Sequence, residues 1–193
     1  MRYVCLEFET NGFPSKGSWT LPCCSFPIQL SVDIVEDGEV THAYDTIIAG
    51  ATSFAPWVQE NIAITLAEAS RGKPFRGVLK DPAGLLQDGD TIVAHNASFD
   101  LDTAIGRTAS KLGIMTPALH KILQTPRFCT MKCACTRSFQ GKSKLPDHFR
   151  VALENAHDAR ARDDSAALAE CVAEAWRRGS MMNERGERNG ERS

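Results

Sequence analysis

Two carboxylates stand one residue apart near the start of the chain, where Glu7 and Glu9 follow an apolar run. In a β-strand, residues i and i+2 point to the same face, so both carboxylates would project side by side. Neighbouring carboxylates repel each other unless a cation lies between them, and a hard divalent cation such as Mg²⁺ or Mn²⁺ suits carboxylate ligands. The alternative interpretation is a strand that ends in two solvated acids.

Two further segments place acids at the ends of predicted elements. Asp100 opens a helical pattern, and Asp163 and Asp164 stand at the start of the last one, with His157 shortly before them. Converging carboxylates and one imidazole are typical of a two-metal phosphoryl-transfer site, in which the histidine accepts a proton from the attacking water. Alternatively, Asp163 and Asp164 only stabilise the positive end of their helix.

The hydrophobic pattern predicts the elements that must position these residues. Strand-like patterns cover residues 3–8, 28–35, 40–48, 91–94 and 128–133. We expect the first of these strands to be central, and an Asp-Gly turn predicts an antiparallel meander through the next two. Helix-like patterns cover residues 65–69, with Thr65 as the N-cap, and residues 100–112, 146–153 and 164–179. Residues 71–82 are basic and interrupted by glycine and proline, and are interpreted as a candidate inserted, mobile segment.

Length, charge and composition limit the kinds of protein that this chain could be. The chain of 193 residues suits one domain, and its net charge of −2 leaves room only for a local basic groove. It contains no apolar run long enough to cross a membrane and no signal-peptide pattern, so we expect a cytoplasmic protein. The seven cysteines are interpreted as reduced thiols, since no paired C-x-x-C spacing favours a structural zinc site.

Three motifs in order resemble the DnaQ-like (DEDDh) 3′–5′ exonuclease family, whose members carry D-x-E-T, H-N-x-x-F-D and H-x-A-x-x-D. The chain has E-F-E-T-x-G at residues 7–12, H-N-A-S-F-D at residues 95–100, and H-D-A at residues 157–159 followed by D-D at residues 163–164. The resemblance implies an α/β, ribonuclease H-like mixed β-sheet flanked by helices. It would occupy residues 1–179 as an exonuclease domain, and residues 180–193 would form a disordered polar tail.

The resemblance also implies an activity and a set of site residues. The implied activity is metal-dependent 3′–5′ hydrolysis of a single-stranded 3′ end of DNA or RNA. Glu7, Glu9, Asp100 and Asp164 would hold two Mg²⁺ or Mn²⁺ ions, and His157 would be the general base. The backbone N–H groups of Thr10 and Asn11 would contact the terminal nucleotide. The side chains of Asn96 and Phe99 would border the substrate.

Two departures from the family pattern bear on the activity. Glu7 stands where the family has Asp, which adds a methylene to a ligand of a geometrically strict site. The family spacing from His157 falls on Arg162, which cannot bind a cation, so we assign the last ligand to Asp164 with Asp163 as the second choice. Stepping back along the apolar stripe of the last helix places Asp164 on the side of the sheet and Asp163 toward solvent.

Other interpretations remain open at the level of sequence. Phe99 could belong to the core, and His95 is interpreted as a hydrogen-bonded structural residue. Basic side chains could line a phosphate-contacting rim or a solvated loop, namely Lys132, Arg137, Lys142 and Lys144. The rival functions are a catalytically inactive module of the same fold that binds nucleic acid or protein, and a zinc-stabilised interaction protein. The sequence assigns no oligomeric state.

Overall fold

The structure is a computed structural model that describes residues 1–12, 25–132 and 161–179. Its centre is a six-stranded mixed sheet in the order β4-β3-β2-β1-β5-β6. The strands are β1 Arg2–Thr10, β2 Pro27–Glu36, β3 Glu39–Ala49, β4 Lys73–Pro74, β5 Thr91–Ala94 and β6 Arg127–Cys129. β1 therefore lies inside the sheet, as predicted, antiparallel to β2 and parallel to β5.

The predicted meander is confirmed, and its turn has a local cause. Asp37 and Gly38 link β2 to β3 with φ angles of 50° and 83°. Positive φ at both central residues is the geometry of the hairpin turn whose twist matches that of the flanking strands, and Asp-Gly adopts it readily. The register then follows directly from the turn, because Glu36 pairs with Glu39 and Val35 with Val40.

Helices surround the sheet. Their bounds are Pro56–Asn61, Leu66–Arg71, Phe75–Val78, Lys80–Leu85, Ser98–Arg107, Thr108–Lys111, Pro117–Gln124 and Ala161–Arg177. Two of them position the candidate site and are named here: the π helix, Ser98–Arg107, and the long helix, Ala161–Arg177. Thr65 caps Leu66–Arg71 as predicted: its hydroxyl accepts the Glu68 N–H, and its own N–H donates to the Glu68 carboxylate.

The two faces of β1 belong to different cores. Val4, Leu6 and Phe8 lie in the larger core with the apolar side of the π helix. Tyr3 and Cys5 lie in a second core, formed with buried side chains of the long helix. Both faces of the strand are therefore covered, as expected for an interior strand of an α/β sheet.

Three expectations differ from the structure. The interpretation of residues 71–82 as an inserted, mobile segment is wrong, because Lys73 pairs with Ile48 of β3 and the side chains of Phe75 and Leu79 are buried. The predicted helix at 100–112 begins earlier, at Ser98, and is π-helical up to Arg107. A helix not predicted from the sequence, Pro117–Gln124, begins after Thr116, whose hydroxyl accepts a hydrogen bond from an N–H of the first turn.

Several predictions lie outside the described residues. They are the helix at residues 146–153, the tail at residues 180–193, the general base His157, and the rim residues Arg137, Lys142 and Lys144. Within the described residues, no helix has the length and apolar character needed to cross a membrane.

Candidate active site

The first pair of acids, Glu7 and Glu9, lies near the carboxyl end of β1. Side chains alternate along a strand, so Glu7 and Glu9 share the face of Cys5, which is the face covered by the long helix. Glu7 is 2% exposed, whereas Glu9 is half-buried. The alternative of two solvated acids at a strand end is therefore wrong for Glu7.

The second motif follows β5, and local hydrogen bonds shape it. The imidazole Nδ1 of His95 lies 2.9 Å from the Thr130 hydroxyl, so this histidine is hydrogen-bonded as expected, to the segment after β6. The Asn96 carbonyl accepts the N–H groups of Phe99 and Asp100 at 2.8 and 3.0 Å and so begins the π helix. Asp100 is 2% exposed in its first turn.

The sheet topology brings these two segments together. β1 and β5 are adjacent and parallel, with Cys5 opposite Val93. The carboxyl ends of parallel strands lie at the same edge of a sheet, and β1 also contacts the π helix that carries Asp100. Glu7, Glu9 and Asp100 are thus displayed at one edge of the sheet.

The third segment is the first turn of the long helix. Two hydrogen-bond contacts with β2 place this turn beside the part of the sheet that carries Glu7 and Glu9. The N–H of Ala161 donates to Gln29 Oε1 at 3.0 Å, and Gln29 is the β2 partner of Glu9. The hydroxyl of Ser165 lies 2.9 Å from that of Ser31, the β2 partner of Glu7. Asp163 and Asp164 lie between these two anchors and are therefore level with Glu7 and Glu9.

The rotation of the long helix distinguishes Asp163 from Asp164 only in part. Ala161 and Ser165 are fully buried against the sheet. At about 100° per residue, Asp164 lies roughly 60° around the helix from Ala161, whereas Asp163 lies roughly 160° around it. Asp164 also precedes Cys171 by two turns and so lies on the side that packs with Cys5 of β1. Both carboxylates are nonetheless half-buried, so the expectation that Asp163 is turned out to solvent is not met.

One expected substrate contact is corrected. The backbone N–H of Asn11, expected to face a nucleotide, instead donates to the Phe26 carbonyl at 2.9 Å. The Asn11 side chain also donates to the Ser53 carbonyl and accepts from the Phe26 N–H, at 3.1 and 2.8 Å. At 1% exposure, Asn11 joins the end of β1 to two neighbouring segments instead of facing a ligand.

The remaining residues at the edge have mixed outcomes. Thr10 is buried, and its hydroxyl donates to the Gly12 carbonyl at 3.0 Å. Asn96 and Phe99 are half-buried, which leaves part of each side chain accessible to a ligand. Among the expected rim cations, Lys132 is exposed and donates to the Ser98 hydroxyl at 3.3 Å, directly at the start of the π helix.

The donor set has the chemistry of a hard-cation site. Its members are carboxylates, the ligands that Mg²⁺ and Mn²⁺ prefer, and they come from three elements that meet at one edge. In the described ranges, no three side chains of His, Cys, Asp or Glu are gathered closely enough to hold one ion. The donors therefore suit divalent cations in their chemistry and in their positions on the fold, but their side chains do not form a preformed metal-binding cluster.

The described cysteines do not resemble zinc ligands. Cys5, Cys129 and Cys171 are buried free thiols. Burial, together with the nearby carboxylates of Asp33 and Glu7, raises the pKa of Cys5 well above its ordinary value. Burial likewise raises the pKa of Cys171 to about 12. Because zinc binds thiolates, the raised pKa values make Cys5 and Cys171 poor zinc ligands.

Sequence reasoning missed a polar row on β2, which consists of Gln29, Ser31 and Asp33. It lies opposite the apolar side chains of the same strand, a pattern normally interpreted as solvent-facing. All three residues are at most 2% exposed, because the long helix covers them. The alternation was visible in the sequence, but the helix that buries it lies more than a hundred residues away.

Comparison with solved structures identifies the fold. Exonuclease X, in complex with a 5′-overhanging duplex DNA, is 16% identical with a TM-score of 0.64, over 95% of this chain and 96% of that one. A full-length 3′-exonuclease is 13% identical with a TM-score of 0.71, over 98% and 67% of the two chains. E. coli exonuclease I, in complex with a dA16 oligonucleotide, is 16% identical with a TM-score of 0.67, over 92% and 41%.

The chain has the ribonuclease H-like fold. The prediction of this fold class from the three motifs is confirmed by the mixed sheet and by these neighbours. No family model matches the sequence, and no curated protein matches it closely enough to serve as a relative. This chain also spans only about two-fifths of exonuclease I.

Proposed function

We propose that this chain is a metal-dependent 3′–5′ exonuclease that hydrolyses nucleic acid, DNA or RNA, from its 3′ end. The observation that supports the proposal is that the π helix and the long helix both contact β1, and that each of these three elements carries acids near one of its ends. Solved structures with this fold include nucleases, among them cell-death related nuclease 4, at 16% identity and a TM-score of 0.64.

In this proposal, Glu7, Glu9, Asp100 and Asp164 would hold two Mg²⁺ or Mn²⁺ ions. When bound, the ions would supply Lewis-acid stabilisation of the charge that develops on the attacking and leaving oxygens. Burial of Glu7 and Asp100 removes their carboxylates from competing water, which strengthens their attraction for a cation.

Other residues of the chain would handle the substrate and the proton. His157, outside the described residues, is assigned as the general base that takes the proton from the attacking water. Asn96, Phe99 and the backbone of Thr10 are assigned to the terminal nucleotide, since all three belong to the edge where the acids meet. The exposed ammonium of Lys132 would contact a phosphate beyond it.

The decisive assay uses a single-stranded oligonucleotide labelled at its 5′ end. With Mn²⁺ it should give a ladder of shortened products, and EDTA should abolish the ladder. Matched DNA and RNA strands, labelled in turn at each end, then give the polarity and the preferred sugar. Asp100→Asn is the inactive control, because it removes a buried carboxylate of the site without changing its size. Cleavage of a circular strand would contradict the exonuclease assignment.

A second candidate is a catalytically inactive module of the same fold that binds nucleic acid or protein. It is favoured by Glu7 in place of the family's Asp and by Arg162 at the family spacing, where the side chain is exposed. Metal binding separates the two candidates, because a ligand that binds only the folded state raises the melting temperature. The nuclease should show a rise in Tm with Mn²⁺, and the inactive module should show none.

A further inference from the structure

The polar row on β2 is buried where packing alone would favour apolar residues. Gln29, Ser31 and Asp33 occupy alternate positions on one face and are 1%, 0% and 2% exposed. Through the register of the sheet they stand beside Glu9, Glu7 and Cys5 of β1, respectively. Each polar group placed there must find a hydrogen-bond partner or cost free energy.

The long helix supplies partners for this row from its first turn and a half. Gln29 Oε1 accepts the N–H of Ala161 at 3.0 Å, which satisfies one of the amide groups that the start of a helix cannot pair internally. The hydroxyl of Ser165 donates a hydrogen bond to Asp33 Oδ2 and lies 2.9 Å from the Ser31 hydroxyl. Because a carboxylate only accepts, the Ser165 hydroxyl is the donor to Asp33, and the Ser31 hydroxyl donates to the Tyr44 carbonyl of β3 at 3.3 Å.

The second oxygen of Asp33 is also bonded, since Oδ1 lies 3.0 Å from Nδ1 of His42 on β3. The Gln29 amide similarly donates to Asp45 of β3 at 2.9 Å. The polar row on β2 therefore forms hydrogen bonds with β3 on one side and with the long helix on the other. An apolar seam would pack the helix as well, but apolar contacts tolerate rotation and sliding that directed hydrogen bonds do not.

Rotation of this helix matters because Ser165 directly follows Asp164. A carboxylate lies about 5 Å from the axis of its helix, so a rotation of about 20° displaces it by nearly 2 Å. That displacement is close to the length of a metal–oxygen bond, about 2.0–2.1 Å for Mg²⁺, whose geometry is strict. A loose helix would keep its fold and lose its ligand.

We propose that Gln29, Ser31 and Asp33, with Ser165, are positioning residues that set the rotation and height of the long helix, so that Asp164 is held level with Glu7 and Glu9. This inference rests on the proposed function, in which Asp164 binds a cation. None of the four residues touches the substrate in this arrangement, since each is covered by the long helix or, for Ser165, by the sheet.

The test compares Ser165→Ala with Val172→Ala in the full chain. Both residues lie buried on the long helix, but Val172 packs two turns further along and contributes no polar group to the row. Two quantities are measured for each variant: Tm in EDTA, which reports the fold, and the Kd for Mn²⁺ by titration calorimetry. We expect both variants to lower Tm and only Ser165→Ala to weaken Mn²⁺ binding, by about 10- to 100-fold, the range for residues that orient metal ligands.

The outcomes separate the inference from the function on which it rests. If wild type binds Mn²⁺ and Ser165→Ala binds it equally well, the inference fails and the proposed function stands. Equal weakening by both variants would also overturn it, because any loosening of the helix would then suffice. If the wild-type protein binds no Mn²⁺, both the proposed function and this inference are contradicted. Should Ser165→Ala not fold, Gln29→Met takes its place, since it keeps the side-chain length and removes the acceptor for Ala161.

Discussion

The choice between Asp163 and Asp164 gives the sharpest test of the candidate site. The perturbation is a pair of charge-removing substitutions of equal size, Asp164→Asn and Asp163→Asn. Ala161 and Ser165, both 0% exposed, define the side of the long helix that faces the sheet. With about 100° per residue, Asp164 lies roughly 60° from Ala161 and Asp163 roughly 160° from it.

This difference in direction sets the expected magnitudes. Asp164→Asn should lower kcat/KM by about 10²–10³, the range for losing one group that stabilises charge in a transition state. Asp163→Asn should leave activity within about twofold and cost at most about 0.3–1 kcal/mol of unfolding free energy, because its carboxylate favours the positive end of the helix. Neither substitution removes a buried apolar contact, so both proteins should fold.

The assay measures single-turnover degradation of a 5′-labelled strand with saturating Mn²⁺, together with Tm in EDTA. Glu170→Gln is the control for removing a carboxylate from the same helix, since its side chain is 49% exposed and far from the first turn. An essential Asp163 with a silent Asp164 would refute the rotation derived from Ala161. If both aspartates were silent while nuclease activity persisted, the four-carboxylate site itself would be wrong.

Further predictions concern the unusual acid, a buried ion pair, one buried thiol and the general base. Glu7→Asp should keep or raise activity with Mg²⁺ and Glu7→Gln should abolish it; a fully active Glu7→Gln would show that Glu7 is not a ligand. Asp90→Asn should lower the urea-derived unfolding free energy by about 3 kcal/mol, because it breaks a pair with Arg2 in which the side chains are 2% and 11% exposed; a loss below about 1 kcal/mol would contradict a buried pair. Burial raises the pKa of Cys171 to about 12 from an ordinary 9.0, so the folded thiol stays protonated at a pH where the unfolded thiol ionises. The free energy of unfolding should therefore fall as pH rises from 9.0 toward 12. Iodoacetamide at pH 9.0 should leave Cys171 unmodified until the protein is unfolded. His157→Ala should slow turnover by about 10²–10⁴ with an unchanged Kd for Mn²⁺, whereas an unchanged rate would remove His157 from the proton transfer.

Local signals explain why most of the sheet could be predicted. The Asp-Gly turn sets the register of β2 against β3 within a few residues, and the Thr65 cap with Glu68 defines the start of a helix in the same way. In both cases the deciding hydrogen bonds or dihedral angles join residues close in the chain. Long-range context is not needed to predict them.

Other features depended on distant contacts and were missed for that reason. The glycines and prolines of residues 71–82 are typical of a loop, but pairing of Lys73 with β3 and burial of Phe75 order the segment. Asn11 has the local appearance of a ligand-facing turn residue, but its polar groups are used by Phe26 and Ser53. A propensity cannot report a partner that only folding brings near.

The sequence by itself determined the kind of chemistry available, because the acids of β1, the π helix and the long helix stand at element ends in a recognisable order. It also indicated the fold class, since the three motifs in order resemble those of a family with the ribonuclease H-like fold. Only the tertiary structure decided which acids meet at one level and which side of the long helix faces them. That decision belongs to buried hydrogen bonds between β2 and the long helix, whose partners, Gln29 with Ala161 and Asp33 with Ser165, are 132 residues apart in each case.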